Sequence, residues 1–276
     1  MNLSSNRMWL GTELFNGSFG NKYTSNDVQT HIDYCVDLGL DKIDTAECYG
    51  VEKMLGDALI GKRNKFFVGT KFGHDNEKKP NSESYTLTLP SVKKQLNESL
   101  KNLRTDYIDI YYYHSGGNDN FCNDEIWEFL NKKVDSGVIR HLGLSLKHSL
   151  VIEKDFTQIN KMKEYGITVV QTVLNMYSQH SLEYIIPFCK KNKIHVLGRM
   201  PLAKGLLTGK YKQNHHFDNS DCRSNSIELN HEILDTYHNI TPKEAIIWCK
   251  KHVDDLVIGS KTINQMKENY NLINGE

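Results

Sequence analysis

Residues 43–50 read IDTAECYG and set a carboxylate, Asp44, five positions ahead of a phenol, Tyr49. Further on, KFFVGTK ends an apolar run in Lys71, and YIDIYYYH ends another in His114. A carboxylate, a phenol, an ammonium and an imidazole gathered around one oxygen can reduce a carbonyl or run the reverse reaction. A tyrosine titrates near ~10 in water, and a neighbouring ammonium favours its phenolate, which makes the proton easier to give. Asp44 would hold Lys71 charged and oriented, and His114 could donate a hydrogen bond to the substrate oxygen. Proton transfer positioned in this way contributes roughly 10²–10⁴-fold. None of the four supplies a hydride, so the set requires a cofactor. Each residue also has a plain structural role. Asp44 could cap the following helix, and Tyr49 could be a rim aromatic with a wet hydroxyl. Lys71 could pair with Asp44 at a sheet edge, and His114 could close a strand. Their joint occurrence at the ends of separate elements favours chemistry.

Short apolar runs alternate with amphipathic ones along the chain. Strands are expected at 8–11, 42–44, 65–71, 107–113, 138–146, 168–173, 194–197 and 256–258. Helices are expected at 27–38, 51–60, 91–103, 126–134, 182–191, 242–251 and 262–273, with one more between 146 and 168. In the third helix Val92, Leu96, Leu100 and Leu103 form one stripe, after Pro90, a favourable first helical residue. In the last, Thr262 and Gln265 stand in capping-box register. About eight strands, each followed by helical sequence, predict a parallel sheet covered by helices. An open dinucleotide-binding sheet should carry G-x-G-x-x-G after its first strand, and GTELFNG, GSFGN and GGNDN do not fit it. The expectation is therefore an α/β fold, a single (β/α)8 TIM-type barrel spanning residues 1–276, with its chemistry at the C-terminal ends of the strands.

The bulk properties fit one such barrel of 276 residues. Lysine plus arginine and aspartate plus glutamate number 34 each, so the formal net charge is zero and favours neither a nucleic-acid nor a membrane-surface partner. The start, MNLSSNRMWLGTEL, lacks an apolar core long enough for a signal peptide, and no run approaches the ~20 apolar residues of a membrane helix. The six cysteines contain no C-x-x-C pair, and Cys35, Cys189 and Cys249 sit among apolar helix positions as reduced core thiols. A cytoplasmic location is expected.

Six ordered segments carry a family resemblance over nearly the whole length. They are IDTAECYG with VEKMLGDAL, VGTKFG, SLKNLRTDYIDIYYYH, GVIRHLGLS, PLAKGLLTGKY and GSKTINQMKEN. In these the chain resembles the aldo-keto reductases. The resemblance implies a barrel that binds NADP(H) in extended form and acts on a small-molecule carbonyl substrate. It implies Tyr49 as general acid, Lys71 and Asp44 as its tuning pair, and His114 as the group that orients the carbonyl. It further implies that Ser145 and Gln171 contact the nicotinamide carboxamide, with Thr12 among the cofactor-binding residues. Pro201, Leu202, Gly205, Leu207 and Lys210 would line the pyrophosphate loop. Gly259, Ser260, Lys261, Gln265, Glu268 and Asn269 would hold the adenosine and its 2′-phosphate, as a cationic helix start suits a phosphate.

Three features depart from the family pattern. Leu146 stands where an asparagine usually follows the serine. Arg199 stands in GRMPLAKG where a tyrosine commonly stacks on the nicotinamide, and its planar guanidinium could stack too or reach a phosphate. The chain ends soon after the last helix, with little or no loop to fold over the substrate, and the stretch between Lys210 and Pro242 is compact. An open pocket for a polar carbonyl, such as a sugar derivative, is the reading these shortenings favour. Two alternatives stay open: a Schiff-base lyase or aldolase using Lys71, and a non-catalytic nucleotide-binding regulatory subunit. Among smaller signals, His215, His216, Asp218, Asp221 and Cys222 match no standard zinc spacing and read as a solvated loop. Tyr112 should face opposite to Tyr111 and Tyr113, and Cys48 reads as a packed thiol.

Overall fold

The structure, a computed structural model, describes residues 5–73 and 87–275. The first four residues of the N-terminal stretch read above lie outside that set. Eight parallel strands pair in chain order and close on themselves: β1 (Met8–Gly11), β2 (Lys42–Asp44), β3 (Phe67–Phe72), β4 (Ile108–His114), β5 (Ile139–Ser145), β6 (Ile167–Val173), β7 (His195–Arg199) and β8 (Asp255–Ile258). Closure comes from β8 pairing back onto β1, Met8 opposite Leu256. The expected (β/α)8 barrel is the observed one.

The helices are α1 (Ser25–Leu38), α2 (Glu52–Ala58), α3 (Leu89–Asn102), α4 (Asn118–Phe121), α5 (Asp124–Asp135), α6 (His148–Ile152), α7 (Thr157–Lys161), α8 (Ile185–Lys191), α9 (Ile227–Tyr237), α10 (Pro242–Lys250) and α11 (Ile263–Asn274). Local chemistry sets several of their starts. Thr24 with Asp27, Thr88 with Ser91, and Thr241 with Glu244 form reciprocal capping boxes for α1, α3 and α10. Thr262 accepts from the Gln265 N–H at the start of α11, but the Gln265 side chain accepts from the Lys261 N–H, so the expected capping box is half formed. Within the stretch expected to be merely compact lies α9. It buries Ile233 and Leu234 but exposes Ile227 and Leu229, which blurs its apolar stripe.

Alternation along the strands sorts side chains between barrel and helices. Ile43, Val68, Tyr111, Tyr113, Leu144 and Val196 pack outward under the helices. Trp9, Ile110, Tyr112, Val169, Leu197 and Val257 form a separate cluster inside. Tyr112 therefore faces opposite to its two neighbours, as expected. Its ring fits because β5 carries glycine beside it: a Cβ on Gly143 would stand 2.3 Å from Tyr112 Cδ1. Below this layer, the Asp255 carboxylate accepts from Lys42 Nζ at 3.0 Å and Trp9 Nε1 at 2.8 Å, with His195 Nε2 at 3.1 Å. Above it, the same alternation brings the strand-end polar residues into one layer.

Candidate active site

That upper layer holds Asp44 from β2, Lys71 from β3, His114 from β4, Ser145 from β5, Gln171 from β6 and Arg199 from β7. Each lies two residues, or a multiple of two, beyond an inward position of its own strand. Lys71 Nζ donates to Asp44 Oδ2 at 2.8 Å and to the Thr45 carbonyl at 2.7 Å. Asp44 Oδ1 accepts from Gln171 Nε2 at 2.8 Å, and Gln171 Oε1 accepts from Ser145 Oγ at 3.2 Å. One line of hydrogen bonds thus runs across the barrel mouth from β5 to β3. Thr12, just past the end of β1, anchors it, with its N–H at 3.1 Å and its hydroxyl at 3.0 Å from the Asp44 carbonyl. The Gln171–Asp44 bond, which links the expected nicotinamide contacts to the proton-handling pair, had no sequence signal.

Tyr49 lies on a single 3-10 turn, Glu47–Tyr49, that follows β2 and ends on Gly50 in the left-handed region. Lys71 Nζ sits 5.3 Å from the Tyr49 ring centroid and 5.8 Å from that of Tyr112. The Tyr49 and His114 rings meet edge-on, 6.0 Å between centroids and 82° between planes. The four expected catalytic residues therefore converge. Their electrostatics differ from the expectation. Burial pushes the Tyr49 phenol well above its ordinary value, Glu13 and Asp44 push it further, and Arg199 is the cation that opposes them. The Lys71 charge is met by Asp44, so little of it is left to act on the phenol. Cys48 Sγ lies 3.5 Å from His114 Nδ1, and burial holds its thiol at about 12, as suits a packed, unreactive group.

The loop after β7 turns tightly: Met200, Ala203 and Lys204 take positive φ, as do Gly205 and Gly209, and the N–H groups of Ala203, Gly205 and Leu206 bond back within it, to the carbonyls of Met200, Leu202 and Ala203. Lys204 and Lys210 are exposed there, while Pro201 is buried and Leu202 partly so. Leu207 is buried with Leu206, Ile233 and Leu234 and gives its N–H to Leu202, so it serves the loop's packing. A Cβ on Gly259 would stand 2.7 Å from Leu14 Cδ2, so a side chain there would have to displace the end of Leu14. Ser260 is buried and bonded by Asn269 Nδ2 at 3.0 Å. Gln265 accepts from the Lys261 N–H at 2.9 Å, and Glu268 is exposed on α11. Lys261 Nζ donates to the Phe19 carbonyl and to Asn21 Oδ1, at 2.9 and 2.8 Å, tying the loop after β1 to the start of α11. The exposed ammoniums of Lys204 and Lys210 suit a nucleotide phosphate.

The stretch read as a solvated loop is more ordered than that. Asp221 is buried and holds the Arg223 guanidinium at 2.6 and 2.9 Å, and Arg223 lies 3.9 Å from the Phe217 ring centroid. Asp221 also bridges to Phe19, so the segment closes onto the loop after β1.

A profile of the Aldo/keto reductase family matches residues 7–275. The chain is an aldo-keto reductase. Relatives agree with the assignment. Schizosaccharomyces pombe aldo-keto reductase yakc, named for NADP(+), is 29% identical over 88% of this chain and 76% of its own. Among solved structures, a glycerol dehydrogenase from Gluconobacter oxydans superposes with a TM-score of 0.78 at 26% identity, covering 98% of this chain and 86% of its own. The holo form of an aldo-keto reductase from Bacillus halodurans gives 0.74 at 25%, covering 98% and 87%. This reductase is therefore an NAD(P)H-dependent oxidoreductase of carbonyl compounds. Among its described residues, no helix is long and apolar enough to cross a membrane.

Proposed function

We propose that the enzyme reduces a polar aldehyde or ketone with NADPH, in a cytosolic setting, and that Tyr49 is its general acid. The observation that carries this reading is the Tyr49 ring between the Lys71 ammonium, at 5.3 Å, and the His114 ring, at 6.0 Å. The nucleotide, when bound, supplies the hydride. Thr12, Ser145, Gln171, the loop from Pro201 to Lys210 and the start of α11 would hold it. Burial keeps the Tyr49 phenol protonated at neutral pH, the form a proton donor needs. As the carbonyl oxygen gains charge, Tyr49 gives it the proton and is left as a phenolate, which solvent reprotonates. His114 orients that oxygen. Asp44 and Thr45 fix Lys71 beneath the phenol and leave its nitrogen paired, which counts against a Schiff-base role.

Tyr49→Phe tests the assignment. The variant should bind NADPH as the parent does, by quenching of protein fluorescence, and should lose roughly 10²-fold or more in kcat. Full turnover without the hydroxyl would remove Tyr49 from the mechanism.

A further inference from the structure

Glu52 begins α2, three residues beyond Tyr49, and turns its carboxylate into the protein instead of toward water. It is 2% exposed, and Thr70 Oγ1 donates to its Oε1 at 2.6 Å. Thr70 precedes Lys71 on β3 and, between Val68 and Phe72, faces outward under the helices. Glu52 Oε2 is buried with no partner, and so are Ser99 Oγ on α3 and Tyr111 Oη on β4. Tyr111 stands opposite Thr70 in the sheet and feels the Glu52 charge. Among the described residues no cation pairs with Glu52. Burial pushes its carboxyl above the ordinary value, and the Thr70 bond is first among the contacts that hold it down. A carboxylate taken from water without a counter-ion costs stability, and packing of α2 on the barrel alone would favour an apolar residue there.

The Glu52–Thr70 bond closes an excursion of the chain. The chain leaves the sheet at Asp44, makes the 3-10 turn that carries Tyr49, and enters α2 at Glu52. At the near end the Thr45 N–H donates to the Gly69 carbonyl at 2.8 Å, and the Thr45 carbonyl accepts from Lys71 Nζ at 2.7 Å. At the far end Glu52 meets Thr70. Residues 69, 70 and 71 of β3 thus hold both ends of the segment that bears the phenol. Within it, the Tyr49 and Gly50 N–H groups bond to the carbonyls of Ala46 and Glu47 and give the turn its shape.

We propose that Glu52 is a positioning residue for the reaction: through Thr70 it fixes the Tyr49 phenol against the Lys71 ammonium. This rests on the reductase reading above, in which Tyr49 is the acid. Lys71 is the next residue along β3, so a slip of the start of α2 against that strand moves the phenol directly against the ammonium. Misplacement by about 1 Å can cost roughly 10²-fold in rate.

A paired replacement separates position from stability. Thr70→Val alone strands the carboxylate and should lower the melting temperature. Glu52→Leu combined with Thr70→Val removes both polar partners, which is close to neutral for stability, so the double variant should melt near the parent. Turnover is read as NADPH oxidation with a panel of aldehydes and ketones that includes DL-glyceraldehyde and 4-nitrobenzaldehyde. The double variant should keep the parent's Kd for NADPH and lose roughly 10-fold or more in kcat. Glu52→Gln retains an acceptor for Thr70 Oγ1 and should retain the parent's kcat. Deuterium exchange needs no turnover, and the Tyr49 and Gly50 amides should exchange roughly 10-fold faster in the double variant than in the parent. A double variant with the parent's kcat, or with the parent's exchange at those amides, overturns the inference and leaves the reductase reading intact. So does a Glu52→Gln chain as slow as the double variant, because the charge and not the bond would then matter. A double variant that melts as low as Thr70→Val assigns the pair to stability and overturns the inference too. No NADPH oxidation by the parent with any carbonyl of the panel overturns the reductase reading, and the inference with it.

Discussion

Two ion pairs of the same chemistry are expected to behave differently because of where they lie. Lys71 and Asp44 are buried beneath the phenol, at 2.8 Å, with side-chain exposures of 0% and 5%. Arg104 and Asp57 pair at 2.5 Å on the surface, with 53% and 41% exposed. Losing one partner of a buried pair leaves an uncompensated charge and typically costs ~3–5 kcal/mol, whereas exposed pairs contribute ~0–1 kcal/mol. Asp44→Asn removes the counter-charge and leaves Lys71 with neutral acceptors only. Urea unfolding should show it less stable by about 3 kcal/mol, while Asp57→Asn stays within about 0.5 kcal/mol of the parent. Equal midpoints for the two variants would contradict the role given to burial.

At the scale of elements, one large interior ring lies against the strand that carries Ser145 into the upper layer. Tyr112 pairs with Gly143 across β4 and β5, and its ring occupies the space where a Gly143 side chain would stand. Overpacking of an interior costs ~1–3 kcal/mol, and here strain would fall on the strand that ends in Ser145. Gly143→Ala should lower the melting temperature by several degrees and weaken NADPH binding. Adding Tyr112→Leu, which vacates the ring, should recover part of the melting temperature. No recovery would mean that the ring is not what the methyl meets. The sequence showed the alternation of Tyr111, Tyr112 and Tyr113 but not the paired glycine, since Gly143 is 31 residues from Tyr112.

For the whole molecule, the buried thiols set an alkaline limit. Cys35, Cys189 and Cys249 are 0% exposed, and burial holds each at about 12 against an ordinary 9.0. Above the ordinary value the unfolded chain releases protons that the native state keeps. Stability from these groups is therefore complete below about pH 9 and declines as pH rises toward 12, by about 1.4 kcal/mol per pH unit for each thiol. Burial raises Tyr111 and Tyr112 as well, and they add to the loss above about pH 10. Thermal melts from pH 7 to 11 should be level to about pH 9 and then fall. With Cys35, Cys189 and Cys249 replaced by alanine the chain will melt lower throughout, because of the cavities. The decline between about pH 9 and pH 10 should nonetheless become shallower, with Cys48, also held at about 12, left to carry it. A slope that stays put would assign the loss to other groups.

The sequence alone determined which residues close each strand, because strand ends are local events. Apolar runs with period two stop where Asp44, Lys71 and His114 begin, and helices start where Thr24, Thr88, Thr241 and Thr262 can cap them. The barrel, the family and the four residues proposed to handle protons were therefore legible in it. Only the tertiary structure decided what those groups feel. That Asp44 is shared between Lys71 and Gln171 and that burial dominates the Tyr49 phenol are facts about neighbours distant in the chain. Local patterning cannot carry them, because desolvation and pairing depend on which surfaces meet when the barrel closes.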